Sequence, residues 1–197
     1  MDGHKWLLFL AHLPSTPSSL RVNVWRRLRE AGSISLQNGV WILPRSAEYS
    51  TFLERLLAFI RQSGAGGQIF QVQGTDPAVD EDIIARFKAD RTQEYAEFLE
   101  QCEVFIGELD KETRRQKFTF AELEENEQNL QRLRKWIAKI QKRDFFKTNI
   151  SQEAAAAFQG CMQILDAFTR QVYKKGEVET SSELDTFSEE PGSEDLA

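Results

Sequence analysis

The stretch "RVNVWRRLREAGSISLQNGVWILP", residues 21 to 44, carries Arg21, Arg26, Arg27 and Arg29 around Trp25, with Trp41 near its end and Arg45 just beyond it. A guanidinium is a planar fork of donors that stays charged at any physiological pH. This spacing therefore suits an oxyanion, a phosphate backbone or the protein's own carbonyls. In a helix, Arg21 shares a face with Val24, Trp25 and Leu28, while Arg26 and Arg29 fall together on another. Arg21 is thus expected either to brace the helix from its apolar side or to form an oxyanion pocket with Arg26, Arg45 or backbone amides. Arg26, Arg27 and Arg29 read as a solvated face or as a sequence-independent contact to nucleic acid. Together, Arg21, Arg26, Arg27, Arg29 and Arg45 are the candidate nucleic-acid or oxyanion ligands. Trp25 and Trp41 are expected in the core rather than as stacking platforms for bases.

Other chemistry is thinly represented. His4 and His12 are the only histidines and have no cysteine or carboxylate at ligand spacing, so no metal site is expected. Without a Ser/His/Asp pattern, a phosphate loop or a dinucleotide fingerprint, no catalytic residue and no cofactor is expected. Cys102 and Cys161 are too few and too far apart for a disulfide framework, which points to a reducing cytoplasm. Both fall on apolar helical stripes, where cysteine serves as a small hydrophobe; if the two sulfurs face each other, they form a redox pair.

The elements that must position these residues follow from periodicity. "KWLLFLAHLP" reads as a buried strand stopped by Pro14, and a helix capped by Ser18 or Ser19 runs to Gly32. "SISL" and "GVWIL" flank "QNG", a hairpin signal. A second helix over "AEYSTFLERLLAFIRQSG" and a strand over "GGQIFQVQG" complete the order strand, helix, strand, strand, helix, strand. This is a ferredoxin-like βαββαβ unit at 1–74, with both helices on one face of an antiparallel sheet. Beyond Asp76-Pro77 the chain turns helical. Stripes at Tyr95, Leu99, Cys102, Ile106 and Leu109, at Leu123 to Ile140, and at Ala154 to Val172 predict an antiparallel three-helix bundle over 75–175. "KFTF" and "DFFKTNIS" are its expected turns, with Ser151 as a cap. The fold class is therefore α+β.

The 197-residue chain has 41% hydrophobic residues and a net charge of -6. That excess sits at its end: from Gly176 onward there are eight acidic residues and no basic ones. Without those eight, 23 acidic residues face 25 basic ones, and residues 1–74 hold eight basic against four acidic groups. The first third is cationic, and 176–197 is expected to be an acidic, disordered tail. The longest apolar run, "WLLFLA", is far short of a membrane span, and neither a signal peptide nor a membrane partner is expected.

"WLLFLAHLP", "RVNVWRRLREAGSISLQNGVWILP", "ELEENEQNLQRLRKWIAKIQKRDFF" and "ILDAFTRQVY", in that order, resemble the N-terminal region of the ChrB family of chromate-resistance regulatory proteins. The first part is also similar to the ferredoxin-like domain of phenylacetate-pathway repressors and to the small CRISPR-adaptation proteins. The resemblance implies a non-enzymatic, cytoplasmic regulator with a role in stress response, involved in chromate- or oxyanion-responsive transcriptional control. Candidate partners are then DNA, chromate or another oxyanion, a second copy of the chain, or a partner protein supplying a missing domain. The last case would make the chain an interaction module that touches no DNA. The resemblance to the CRISPR-adaptation proteins implies a metal held by an acidic residue at the end of the first strand, but no Asp or Glu occurs here between Asp2 and Glu30. Nuclease chemistry is therefore not expected. Under this resemblance, an oxidant such as chromate gives the Cys102 and Cys161 pair its redox reading.

Overall fold

The computed structural model describes residues 5–16 and 18–187. In chain order the elements are β1 (Lys5–His12), α1 (Ser18–Glu30), β2 (Ile34–Gln37), β3 (Val40–Pro44), α2 (Ala47–Gln62), β4 (Gly66–Gln73), α3 (Pro77–Arg114), α4 (Phe120–Arg143) and α5 (Ile150–Phe187). They fall into two compact units. The first runs to Glu94 and takes in Ile140–Asn149; the second comprises Tyr95–Lys139 and the residues from Ile150 onward.

The first unit is built on a four-stranded sheet in the order β2-β3-β1-β4, antiparallel throughout. This is the ferredoxin-like arrangement expected from the element order, and the chain is of the α+β class. Each turn has a local cause. Gly32, at φ 83, ends α1: its N–H donates to Arg29 O and that of Ser33 to Leu28 O, both at 3.0 Å, the paired bonds of a Schellman cap. Gly39, at φ 77, closes the β2–β3 hairpin after Asn38, and its carbonyl accepts from Ala11 N at 2.7 Å. Ser46 caps α2, its side chain accepting from Tyr49 N at 3.1 Å.

Alternation along β1 sends side chains to both faces of the sheet. On one face Leu7 and Phe9, with Trp41 and Leu43 of β3, pack against Val24 and Leu28 of α1 and against Leu53, Leu56, Leu57 and Ile60 of α2. On the other, Trp6, Ile34 and Ile42 pack against Ile83 and Phe87 of α3, joined by Phe146. The Trp6 ring stacks on Phe87 at 5.9 Å, and its Nε1 donates to the buried Asp80 at 2.7 Å. The compact unit therefore extends past the expected boundary at residue 74, because a sheet apolar on both faces needs a cover on each. The start of α3 supplies the second one. "DFFKTNIS" does form the turn after α4, and its Phe145 and Phe146 are built into this unit.

One core expectation fails: Trp41 is buried, but Trp25 is 54% exposed. The inward stripe of α1 is Leu20, Val24 and Leu28, and that narrow row leaves Arg21 and Trp25 on its flank.

In the second unit, Tyr95, Phe98, Cys102, Phe105 and Leu109 of α3 are buried, as are Leu123, Leu130, Leu133 and Ile137 of α4 and Ala154, Cys161, Leu165, Phe168 and Val172 of α5. Phe98 and Phe105 take the places expected for Leu99 and Ile106, one residue round the helix. "KFTF" is the connection before α4. Ser151 lies inside α5, which starts at Ile150, so it is not the cap. The same helix continues to Phe187 with no proline within it, so residues 176–187 are helical rather than disordered. The expectation for 188–197 lies outside the described residues.

Candidate cationic site on the first helix

The five candidate arginines are dispersed into three environments. Arg29 is half-buried and ion-paired with Asp90 of α3. It belongs to a chain of charges: Arg91, 2% exposed, donates to Glu94 at 2.7 Å and lies 3.7 Å from Asp90, and Arg143 reaches Glu94 at 2.9 Å and the Arg29 carbonyl at 3.3 Å. Burial pushes the Arg91 guanidinium below its ordinary range, against the pull of Glu94 and Asp90. Three arginines and two carboxylates thus tie α1, α3 and the end of α4 within the first unit, and Arg29 is occupied as a structural cation.

The Arg27 Cζ lies over the Phe59 ring, 4.2 Å from its centroid. It lines a cleft of about 260 Å³ with Glu30, Glu48, Tyr49, Lys142 and Arg143. The other cations there each already face a carboxylate, Lys142 that of Glu48 at 3.0 Å and Arg143 that of Glu94 at 2.9 Å. The Tyr49 hydroxyl is held above its ordinary range by burial and by Glu48, with Lys142 opposing.

Arg21, Arg26 and Arg45 are exposed and hold no ion pair among the described residues. Arg21 lines an open cleft of about 430 Å³ with Leu13, Trp25, Asn38 and Trp41, but neither Arg26 nor Arg45 lines it. The expected cluster of Arg21, Arg26 and Arg45 is therefore not brought together in that cleft. What the fold assembles instead is an outer helix face of Arg21, Val22, Trp25 and Arg26, with Val22 56% exposed.

Sequence reasoning missed Asp90, Arg91, Glu94 and Arg143. The spacing of Arg91 and Glu94 on one helix was a local signal, but their partners Arg29 and Arg143 are remote in sequence. Cys102 and Cys161 do meet in the second unit, the Cys161 thiol lying 3.8 Å from the Cys102 carbonyl. Both are enclosed, at 1% and 0% exposure. The contact with Cys161 and burial raise the Cys102 thiol far above its ordinary range, a deprotonation-resistant state. Among the described residues no cluster of three or more His, Cys, Asp or Glu could hold a metal, and no helix is long and apolar enough to cross a membrane. His12 is exposed, and His4 lies outside the described residues.

The fold and this site define an α+β protein with a ferredoxin-like sheet, cationic on its first helix. The chain matches the family described as "Protein ChrB, N-terminal" over residues 21–179 and belongs to that family. It is also similar to "Protein ChrB" of Cupriavidus metallidurans, with 29% identity over 94 residues. That match covers 48% of this chain and 28% of the relative, so the chain aligns with under a third of that protein's length.

Proposed function

We propose that the chain is a non-enzymatic, cytoplasmic regulatory protein that acts in chromate- or oxyanion-responsive transcriptional control, with α1 as its contact to DNA. The observation that carries this reading is the outer face of α1. Among the described residues Arg21 and Arg26 hold no ion pair there, while Arg29 is committed to Asp90 and Arg27 to Phe59. Unpaired guanidiniums bind phosphates at low desolvation cost, and Trp25 between them offers a flat apolar surface to a sugar or base. Arg21, at the mouth of its cleft, is the candidate ligand for an oxyanion, and Arg45 is a further exposed cation. The thiol route to chromate is the weaker one, because an oxidant would have to reach an enclosed pair.

Gel-shift titrations with the protein's own promoter region, with and without chromate and with sulfate as the control, test this. Replacing both Arg21 and Arg26 with Gln should lower affinity and reduce the log–log salt slope by about 2, at roughly 0.9 per lost phosphate contact. Arg29 must be spared, since its loss would disturb the Asp90 network instead. No shift at low salt under any condition would overturn direct DNA binding.

A second reading is favoured by Val22 and Trp25, which expose apolar area on the same face. The chain would then be an interaction module for a partner domain and touch no DNA. Under it, Trp25→Ala weakens partner capture, whereas the double arginine variant leaves it intact.

A further inference from the structure

We propose that the outer edge of β4 is the surface on which two copies of this chain pair, strand against strand and antiparallel, independently of the regulatory reading above. The sheet has two edges, and they differ. β2 has four residues and a register irregularity between Ser35 and Gln37, both features that blunt an edge. β4 has eight residues, "GGQIFQVQ", and its register with β1 is unbroken from Lys5↔Gln73 to His12↔Gly66. It contains no proline and no charge, the two devices by which edge strands resist pairing. In a first third that holds eight basic groups against four acidic ones, an uncharged strand is where a second copy can approach without like-charge repulsion.

The backbone specifies how the copies would meet. Lys5 O accepts from Arg45 N at 2.9 Å and Ala11 N donates to Gly39 O at 2.7 Å, so the odd-numbered residues of β1 turn their polar groups toward β3. The even-numbered ones turn toward β4, whose facing residues are Val72, Phe70 and Gln68. Gly67, Ile69, Gln71 and Gln73 therefore direct their N–H and C=O groups outward, away from the sheet. A two-fold axis through Phe70 pairs Gly67 with Gln73 and Ile69 with Gln71 of the copy. All four outward residues are then used, in about eight hydrogen bonds at two per pair. The same axis sets Phe70, 45% exposed, directly opposite Phe70 of the copy in the close, non-hydrogen-bonded position. A ring left half in water on the single chain is thereby covered.

The test is sedimentation velocity and amide exchange on the full chain. Gln71→Pro removes one outward N–H while leaving the ladder to β1 intact, and Phe70→Lys places two like charges across the axis. The wild-type chain should sediment at twice the monomer mass, with slow exchange at Gly67, Ile69, Gln71 and Gln73 that quickens on dilution. Both variants should sediment as monomers with unchanged circular dichroism. A wild-type monomer at every concentration would overturn the proposal, as would a dimer that survives both substitutions or leaves those amides unprotected.

Discussion

Glu94 is the most consequential charge in the first unit, because one of its carboxylate oxygens serves two cations. Arg91 is 2.7 Å away with a side chain 2% exposed, and Arg143 is 2.9 Å away at 14%. Glu94→Gln keeps the shape and one acceptor but leaves both guanidiniums without that charge, and only Asp90, 3.7 Å from Arg91, still opposes the buried one. Removing one partner of a buried pair costs about 3–5 kcal/mol; with an acceptor and Asp90 remaining, about 3 kcal/mol is expected. Asp90→Asn is the internal comparison. It breaks the Arg29 pair, whose side chains are 35% and 32% exposed, and withdraws the charge 3.7 Å from Arg91 while Glu94 still pairs that cation at 2.7 Å, so its cost is limited to about 1 kcal/mol. Urea titration read by the fluorescence of the buried Trp6 and Trp41 measures both. With a slope near 2 kcal/mol per M, the midpoints should fall by about 1.5 M and about 0.5 M. Adding Arg91→Met to Glu94→Gln should recover at least half of the loss, since the stranded cation is then gone. Equal midpoint shifts for Glu94→Gln and Asp90→Asn, or no recovery in the double variant, would refute the argument that burial of Arg91 sets the cost.

The tryptophans of α1 and of the β2–β3 hairpin should behave oppositely: Trp41→Ala should cost about 3–5 kcal/mol in the same titration, and Trp25→Ala no more than about 0.5 kcal/mol. In the second unit, burial holds the Glu112 carboxyl above its ordinary range, with the neighbouring Glu122 adding to the shift, although Asn126 donates to Glu112 at 2.7 Å. A raised acid binds its proton more tightly when folded, so its stabilising contribution is complete below the unfolded value and is lost as pH rises through the folded one. Glu112→Gln, which can still accept from Asn126, should flatten stability just above the ordinary carboxylate range; an unchanged pH profile would rule out this cause. Cys102 and Cys161 should resist a water-soluble thiol reagent in the native protein and react at full rate in urea, and rapid native labelling would contradict their enclosure.

Period and turn chemistry made the ferredoxin-like order readable from residues alone, because a strand's alternation, the Asn38-Gly39 pair and the glycine stop at Gly32 are local properties. The apolar stripes likewise marked the three long helices, with Cys102 and Cys161 each on such a stripe, and only the fold brought the two together. Three features were decided only by tertiary structure. Trp25 lies outside the core because the inward row of α1 is only one residue wide, a limit set by what it packs against. Arg29 is removed from the candidate ligands because Asp90, 61 residues away, happens to lie beside it. The helical segment after residue 75 contributes Ile83 and Phe87 to the sheet because the far face of β1 and β3 is apolar too. Sequence determines which groups each segment presents, since that depends on neighbours along the chain. Which cations remain free for a partner depends on contacts between distant segments, and those exist only once the chain has folded.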